Sequence, residues 1–127
     1  MTDGTDTAPT EGSRLEDVHG DNWRDFLASD RAVLVLGKSD CGNCATWAAE
    51  LSDWLAVDQD WKDVRFGKMI LDTKGLTEFK KENRWLAEVD VLPFNVVYKG
   101  GERAASYAGG GRERLENRLR RLFREDA

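Results

Sequence analysis

Ala32-Val33-Leu34-Val35-Leu36 is an unbroken apolar run, and it constrains the fold more firmly than any other stretch of the 127 residues. A strand covered on one face alternates apolar with polar side chains. A strand covered on both faces does not, so the run reads as the central strand of a sheet with helices on either side. Turn-forming residues, Lys38-Ser39-Asp40-Cys41-Gly42-Asn43, end it. Cys44, Trp47, Ala48, Leu51, Trp54 and Leu55 then recur at three- and four-residue steps, which predicts a helix ending near Val57 or Asp58.

The rest of the chain fits around this unit. Residues 15–18 read as a short edge strand. Asp21 or Asn22 reads as the cap of a helix through Ala28 that buries Trp23, Phe26 and Leu27. Val64, Phe66 and residues 69–71 predict a strand ending at Asp72. Residues 76–83 predict a helix with Phe79 inward, which Trp85 and Leu86 continue or follow. Pro93 opens a strand over residues 94–98, and Gly100-Gly101 turns it into a hairpin returning through residues 104–107. After Gly109-Gly110-Gly111 comes a last helix with Leu115, Leu119, Leu122 and Phe123 on one face and six arginines (112, 114, 118, 120, 121 and 124) on a solvated one. The order predicts an α/β fold: a central mixed sheet of four to five strands, flanked by helices on both faces.

Charge and composition narrow the function classes. Of the net charge of -5, -4 falls on residues 1–17 (Asp3, Asp6, Glu11, Glu16 and Asp17 against Arg14), which leaves -1 for the remainder. Such a domain is not expected to bind nucleic acid. Residues 1–13 are expected to form a disordered acidic tail, and residues 14–127 one domain. No apolar run reaches the roughly 20 residues of a membrane span, and the first residues do not read as a secretory signal, so a cytoplasmic location and no membrane partner are expected. Two cysteines and one histidine, Cys41, Cys44 and His19, fall short of the four ligands of a structural zinc site, so no metal is expected. His19 reads as a surface residue.

Cys41-Gly42-Asn43-Cys44 sits where the central strand gives way to a helix. Unpaired backbone N–H groups and the positive end of the helix dipole favour a thiolate on the first cysteine there. Thiolate is the species that attacks a disulfide. Cys44, one turn on, is placed to attack the resulting mixed disulfide, and Gly42 leaves the outer sulfur open to a partner chain. Two inert core cysteines, or half of a zinc site shared between chains, are the competing readings. Cys44 does lie on the apolar stripe, but Cys41 lies in a polar turn where a buried structural cysteine has no reason to be.

From about Leu15 to Phe123 the chain resembles thioredoxin-fold proteins. Three features carry the resemblance: Asp40-Cys41-Gly42-Asn43-Cys44 after the apolar strand, Val91-Leu92-Pro93 before a later one, and Val97-Tyr98-Lys99-Gly100-Gly101-Glu102 followed by Gly109-Gly110 and a helix. The resemblance implies a Cys41–Cys44 disulfide in the oxidised state and a cis Leu92–Pro93 bond facing it. It also implies a substrate chain held by Asp40, Gly42, Asn43, Leu92 and Pro93. The sequence departs from the family at several points. Asp40 stands in place of the usual Trp, Asn43 in place of Pro, and Val35 in place of a buried Asp. Gly37 and Lys38 also differ, while Lys68 matches a family lysine beside the missing acid.

The expected activity is thiol–disulfide exchange, with Cys41 as nucleophile and Cys44 as resolving thiol. No bound cofactor is expected; the partners are protein disulfides and an external thiol reductant or reductase, and the chain is expected to be a monomer. Asp40, a like charge beside Cys41, opposes thiolate formation and points to a reductant rather than a strong oxidant. Asp40 itself reads either as a turn residue capping the helix or as a carboxylate assisting Cys44. The alternative is a redox-inactive interaction module of the same fold that binds an extended partner segment.

Overall fold

The computed structural model describes residues 13–124. The expected acidic tail therefore lies outside the described residues except for Ser13. The elements run β1 (Leu15–Asp17), α1 (Trp23–Leu27), β2 (Arg31–Gly37), α2 (Gly42–Val57), β3 (Arg65–Ile70) and α3 (Thr77–Glu82). A short 3-10 helix (Arg84–Glu88) follows, then β4 (Phe94–Lys99), β5 (Glu102–Ala108) and α4 (Arg112–Phe123).

Five strands form one sheet in the order β1-β3-β2-β4-β5. β3 pairs in parallel with both β1 and β2, as connections through helices require. β4 pairs antiparallel with β2 and with β5. Gly100 and Gly101 make the hairpin turn at φ of 62° and 85°, a region open to glycine at no steric cost.

The unbroken apolar run on β2 follows from what covers it. Val33 and Val35 face a core built with Trp47, Leu51, Trp54 and Leu55 of α2 and Leu115, Leu119 and Phe123 of α4. Ala32, Leu34 and Leu36 face the opposite core, with Trp23 and Phe26 of α1 and Phe79 of α3. Each large apolar side chain fully buried in this way contributes roughly 1.5–3 kcal/mol.

Several local expectations are refined. Asn22 precedes α1, but its side chain does not cap that helix. Its Oδ1 accepts the His19 N–H at 2.7 Å and its amide donates to the Asp17 carbonyl at 2.9 Å, so it ties β1 to the turn. His19 is exposed, and its Nδ1 accepts the Asp21 N–H. Trp85 and Leu86 follow α3 as the separate 3-10 helix. The solvated arginine face of α4 is corrected in part: Arg112 lies over Trp54, Arg114 and Arg118 over Tyr107, and Arg124 over Trp61. Four of those cations therefore roof aromatic rings, an attraction that a purely polar face lacks.

Candidate active site

β2 runs out at Gly37, and the chain crosses a polar turn before α2 begins at Gly42. Cys41 is the N-cap of α2: its backbone is extended, at φ -101° and ψ 107°, and its Sγ accepts the Cys44 N–H at 3.1 Å. The sulfur thus takes the place that a Ser or Asp oxygen fills in other helices, satisfying a donor the helix would leave open. This corrects the reading of Asp40 as the cap. Asp40 is exposed, and its side chain has no hydrogen-bond or ion-pair partner among the described residues.

Cys41 and Cys44 are joined by a disulfide, with their Cα atoms 5.2 Å apart. The two sulfurs differ in setting. Cys41 is partly exposed between exposed Asp40 and Gly42, whereas Cys44 is 6% exposed on the buried stripe of α2. Gly37 permits that depth: a Cβ there would lie 3.0 Å from the Cβ of Cys44 and 3.1 Å from its sulfur. Only a residue without a side chain lets the inner cysteine pack so closely on the preceding strand.

A cavity of about 170 Å³ opens behind the disulfide, lined by Val35, Ile70, Ala48, both cysteines and the lysines 38 and 68. Val35 and Lys68 are register partners on β2 and β3, so the residue in place of the family acid stands directly opposite the lysine. Lys68 turns instead to Asp17 of the edge strand, its Nζ 3.9 Å from the carboxylate. No carboxylate lines the cavity.

The second sequence feature reaches the same end of the sheet. Phe94 is the register partner of Leu36, one residue before Gly37, so Pro93 enters β4 beside the point where β2 hands over to the cysteine turn. The Leu92–Pro93 bond is cis, and the Pro93 carbonyl accepts the Gly109 N–H at 2.8 Å. Pro93 is buried and Leu92 is partly exposed. Leu92 lines a groove of about 900 Å³ together with Leu71, Leu86 and Val89, which form its apolar wall, and Lys38. Lys38 thus borders both the groove and the dithiol cavity. Gly42 and Asn43 stand exposed at the start of α2 and line neither space.

Sequence reasoning missed two supports of this site. Asp72, at the end of β3, accepts the Ser39 N–H at 3.0 Å and the Ser39 hydroxyl, which ties the cysteine turn to the neighbouring strand. Those two donors, the hydroxyl first, hold the Asp72 carboxyl below the usual carboxylate range. The second support is Asn95, fully buried in β4, which accepts the indole N–H of Trp47 from the middle of α2. A lone Asn inside Phe94-Asn95-Val96-Val97-Tyr98 was the available signal. A polar residue in a strand buried on both faces is retained where it has partners. Among the described residues no three His, Cys, Asp or Glu side chains gather as a metal site.

Comparison with solved structures places this geometry. Thioredoxin O2 from Arabidopsis thaliana, in its oxidised state, superposes with a TM-score of 0.68 at 20% identity, over 88% of this chain and 96% of that one. Thioredoxin f2 from Chlamydomonas reinhardtii gives 0.67 at 20% identity, over 86% and 96%. Oxidised mitochondrial thioredoxin 3 from Saccharomyces cerevisiae gives 0.65 at 24% identity, over 85% and 95%. At these identities the similarity establishes the fold: the chain has the thioredoxin fold and carries a Cys-x-x-Cys pair at the start of its long helix. No protein-family model and no curated protein sequence matches it.

Proposed function

We propose that the protein is a thiol–disulfide oxidoreductase that reduces or exchanges disulfides of protein substrates. The observation that carries this reading is the asymmetry of the pair: a partly exposed sulfur at a helix start, bonded to a sulfur buried one turn deeper. Two inert core cysteines have no need of that difference.

In the reduced protein, the Cys41 thiolate attacks one sulfur of a substrate disulfide. The other substrate sulfur leaves as a thiolate and takes up a proton. The Cys44 thiol then loses its proton and attacks the Cys41 sulfur, and the second substrate sulfur leaves in the same way. One substrate disulfide becomes two thiols, and the protein dithiol becomes the disulfide; two electrons and two protons have moved. An external dithiol or thiol reductase returns the protein to its reduced form.

The Cys44 N–H bonded to the Cys41 sulfur favours the thiolate at the attacking position, a charge-assisted bond to the form that reacts. The exposed Asp40, Gly42 and Asn43, with Leu92 and Pro93, receive an extended substrate chain. Main-chain pairing there supplies affinity with little sequence selectivity. With such a site the chain works as a monomer, and a reducing compartment such as the cytoplasm suits it.

Reduction of insulin by dithiothreitol, followed by turbidity, tests the reading. The parent protein accelerates precipitation and Cys41→Ser does not. Equal rates from both proteins would sink the proposal.

A further inference from the structure

The groove beside the dithiol carries positive charge that the fold does not use. Its cations are Lys38, Lys80 and Arg84, and its acids are Asp72 and Asp90. Asp72 has turned both carboxylate oxygens to Ser39. The side chains of Lys80, Arg84 and Asp90 have no partner among the described residues, and Lys38 acts on Asp72 only through space. Most arginines elsewhere are engaged: Arg24 with Glu82, Arg65 with Glu16, Arg124 with Asp63 and the Trp61 ring. Three cations against two acids leave the groove with a net charge of +1, on described residues whose charges sum to zero.

We infer that this groove selects substrates whose disulfide lies in an acidic chain segment; the inference rests on the exchange reading above. An acidic segment is attracted by Lys38, Lys80 and Arg84, which outnumber Asp72 and Asp90 in the groove. The field therefore guides it to the groove that Leu92 and Lys38 line, beside the cysteine turn. A basic segment meets like charge at the groove, which disfavours it beside the site of exchange. Leu71, Leu86 and Val89 give the same segment an apolar wall, so the groove fits a polypeptide chain with alternating acidic and apolar side chains rather than a small inorganic anion.

The test is the second-order rate at which each of three synthetic peptides oxidises the reduced full-length protein. Each peptide is closed by one disulfide, and its flanking positions are Glu, Gln or Lys. At low ionic strength the Glu peptide reacts about tenfold faster than the Lys peptide, with Gln between them. In about 0.5 M salt the screening length falls to a few ångström and the three rates converge. The double variant Lys80→Glu/Arg84→Glu removes or reverses the Glu-over-Lys ratio. Three equal rates at low salt, or an unchanged ratio in the variant, would overturn charge selection while leaving exchange intact. Failure of all three peptides to oxidise the protein would overturn exchange and the inference with it.

Discussion

Trp47 donates its indole N–H to the side-chain oxygen of Asn95 at 2.8 Å, inside a core where Asn95 has no exposed surface and Trp47 almost none. The Asn95 amide in turn donates to the Gly109 carbonyl at 2.7 Å and the Tyr107 carbonyl at 3.2 Å. One side chain thus fastens the cysteine-bearing helix to β4, to β5 and to the glycine segment that also bonds Pro93. Replacing Asn95 by Leu keeps the branching of the side chain but takes the partner from a buried indole N–H and from two carbonyls. Asn95→Leu is expected to cost about 3 kcal/mol, since each buried group left unpaired costs roughly 1–3 kcal/mol. Urea unfolding measures it; a midpoint unchanged from the parent would show that the network contributes little.

Asp58, at the end of α2, contributes to stability against acid. It is 7% exposed and bonds Arg14 at 3.0 Å and the Trp61 N–H at 2.8 Å. Burial opposes its charge, but the Trp61 N–H, the Arg14 guanidinium and the Asp60 N–H outweigh burial and hold the carboxyl below its ordinary value. A carboxyl whose folded pKa is depressed stabilises the fold above its unfolded value of about 3.9 and loses that contribution as pH falls through the folded one. Asp58→Asn is therefore expected to lose about 1–3 kcal/mol at pH 7 and to show a flatter stability profile below about pH 4. Parallel pH profiles for variant and parent would contradict this.

Asp40 stands exposed next to the attacking sulfur and has no partner among the described residues. Its charge disfavours the Cys41 thiolate, weakly because solvent screens it. Asp40→Asn is expected to speed alkylation of Cys41 by iodoacetamide at neutral pH about two- to fivefold, the scale of one screened charge at short range. If Asp40 instead assisted proton transfer, the variant would react no faster with iodoacetamide, and its Cys44-dependent release of product would slow.

The fold was legible because its strongest signals were non-local in consequence but local in sequence. An unbroken run over Val33 and Val35 states that both faces of β2 are covered, and the helical stripe from Cys44 to Leu55 states by what. The cysteine turn was legible for the same reason. Other features depended on partners far along the chain. Asp72 supports Ser39 from 33 residues away, and Asn95 meets Trp47 across 48. The arginines of α4 read as a solvated face because their rings, Trp54, Trp61 and Tyr107, lie on other elements. Capping was one of the two roles that the sequence left open for Asp40, because a cysteine sulfur is a poor guess for a capping acceptor, yet Cys41 holds that place.

Trapping the mixed disulfide tests the division of labour between the two sulfurs most directly. Reduced Cys44→Ser and reduced Cys41→Ser are each mixed with a peptide disulfide and read by intact mass and peptide mapping. Cys44→Ser is expected to accumulate one peptide adduct on Cys41, while Cys41→Ser, with its remaining thiol buried, stays unmodified on the same timescale. An adduct forming as fast on Cys44, or none on Cys41, would contradict the exchange mechanism.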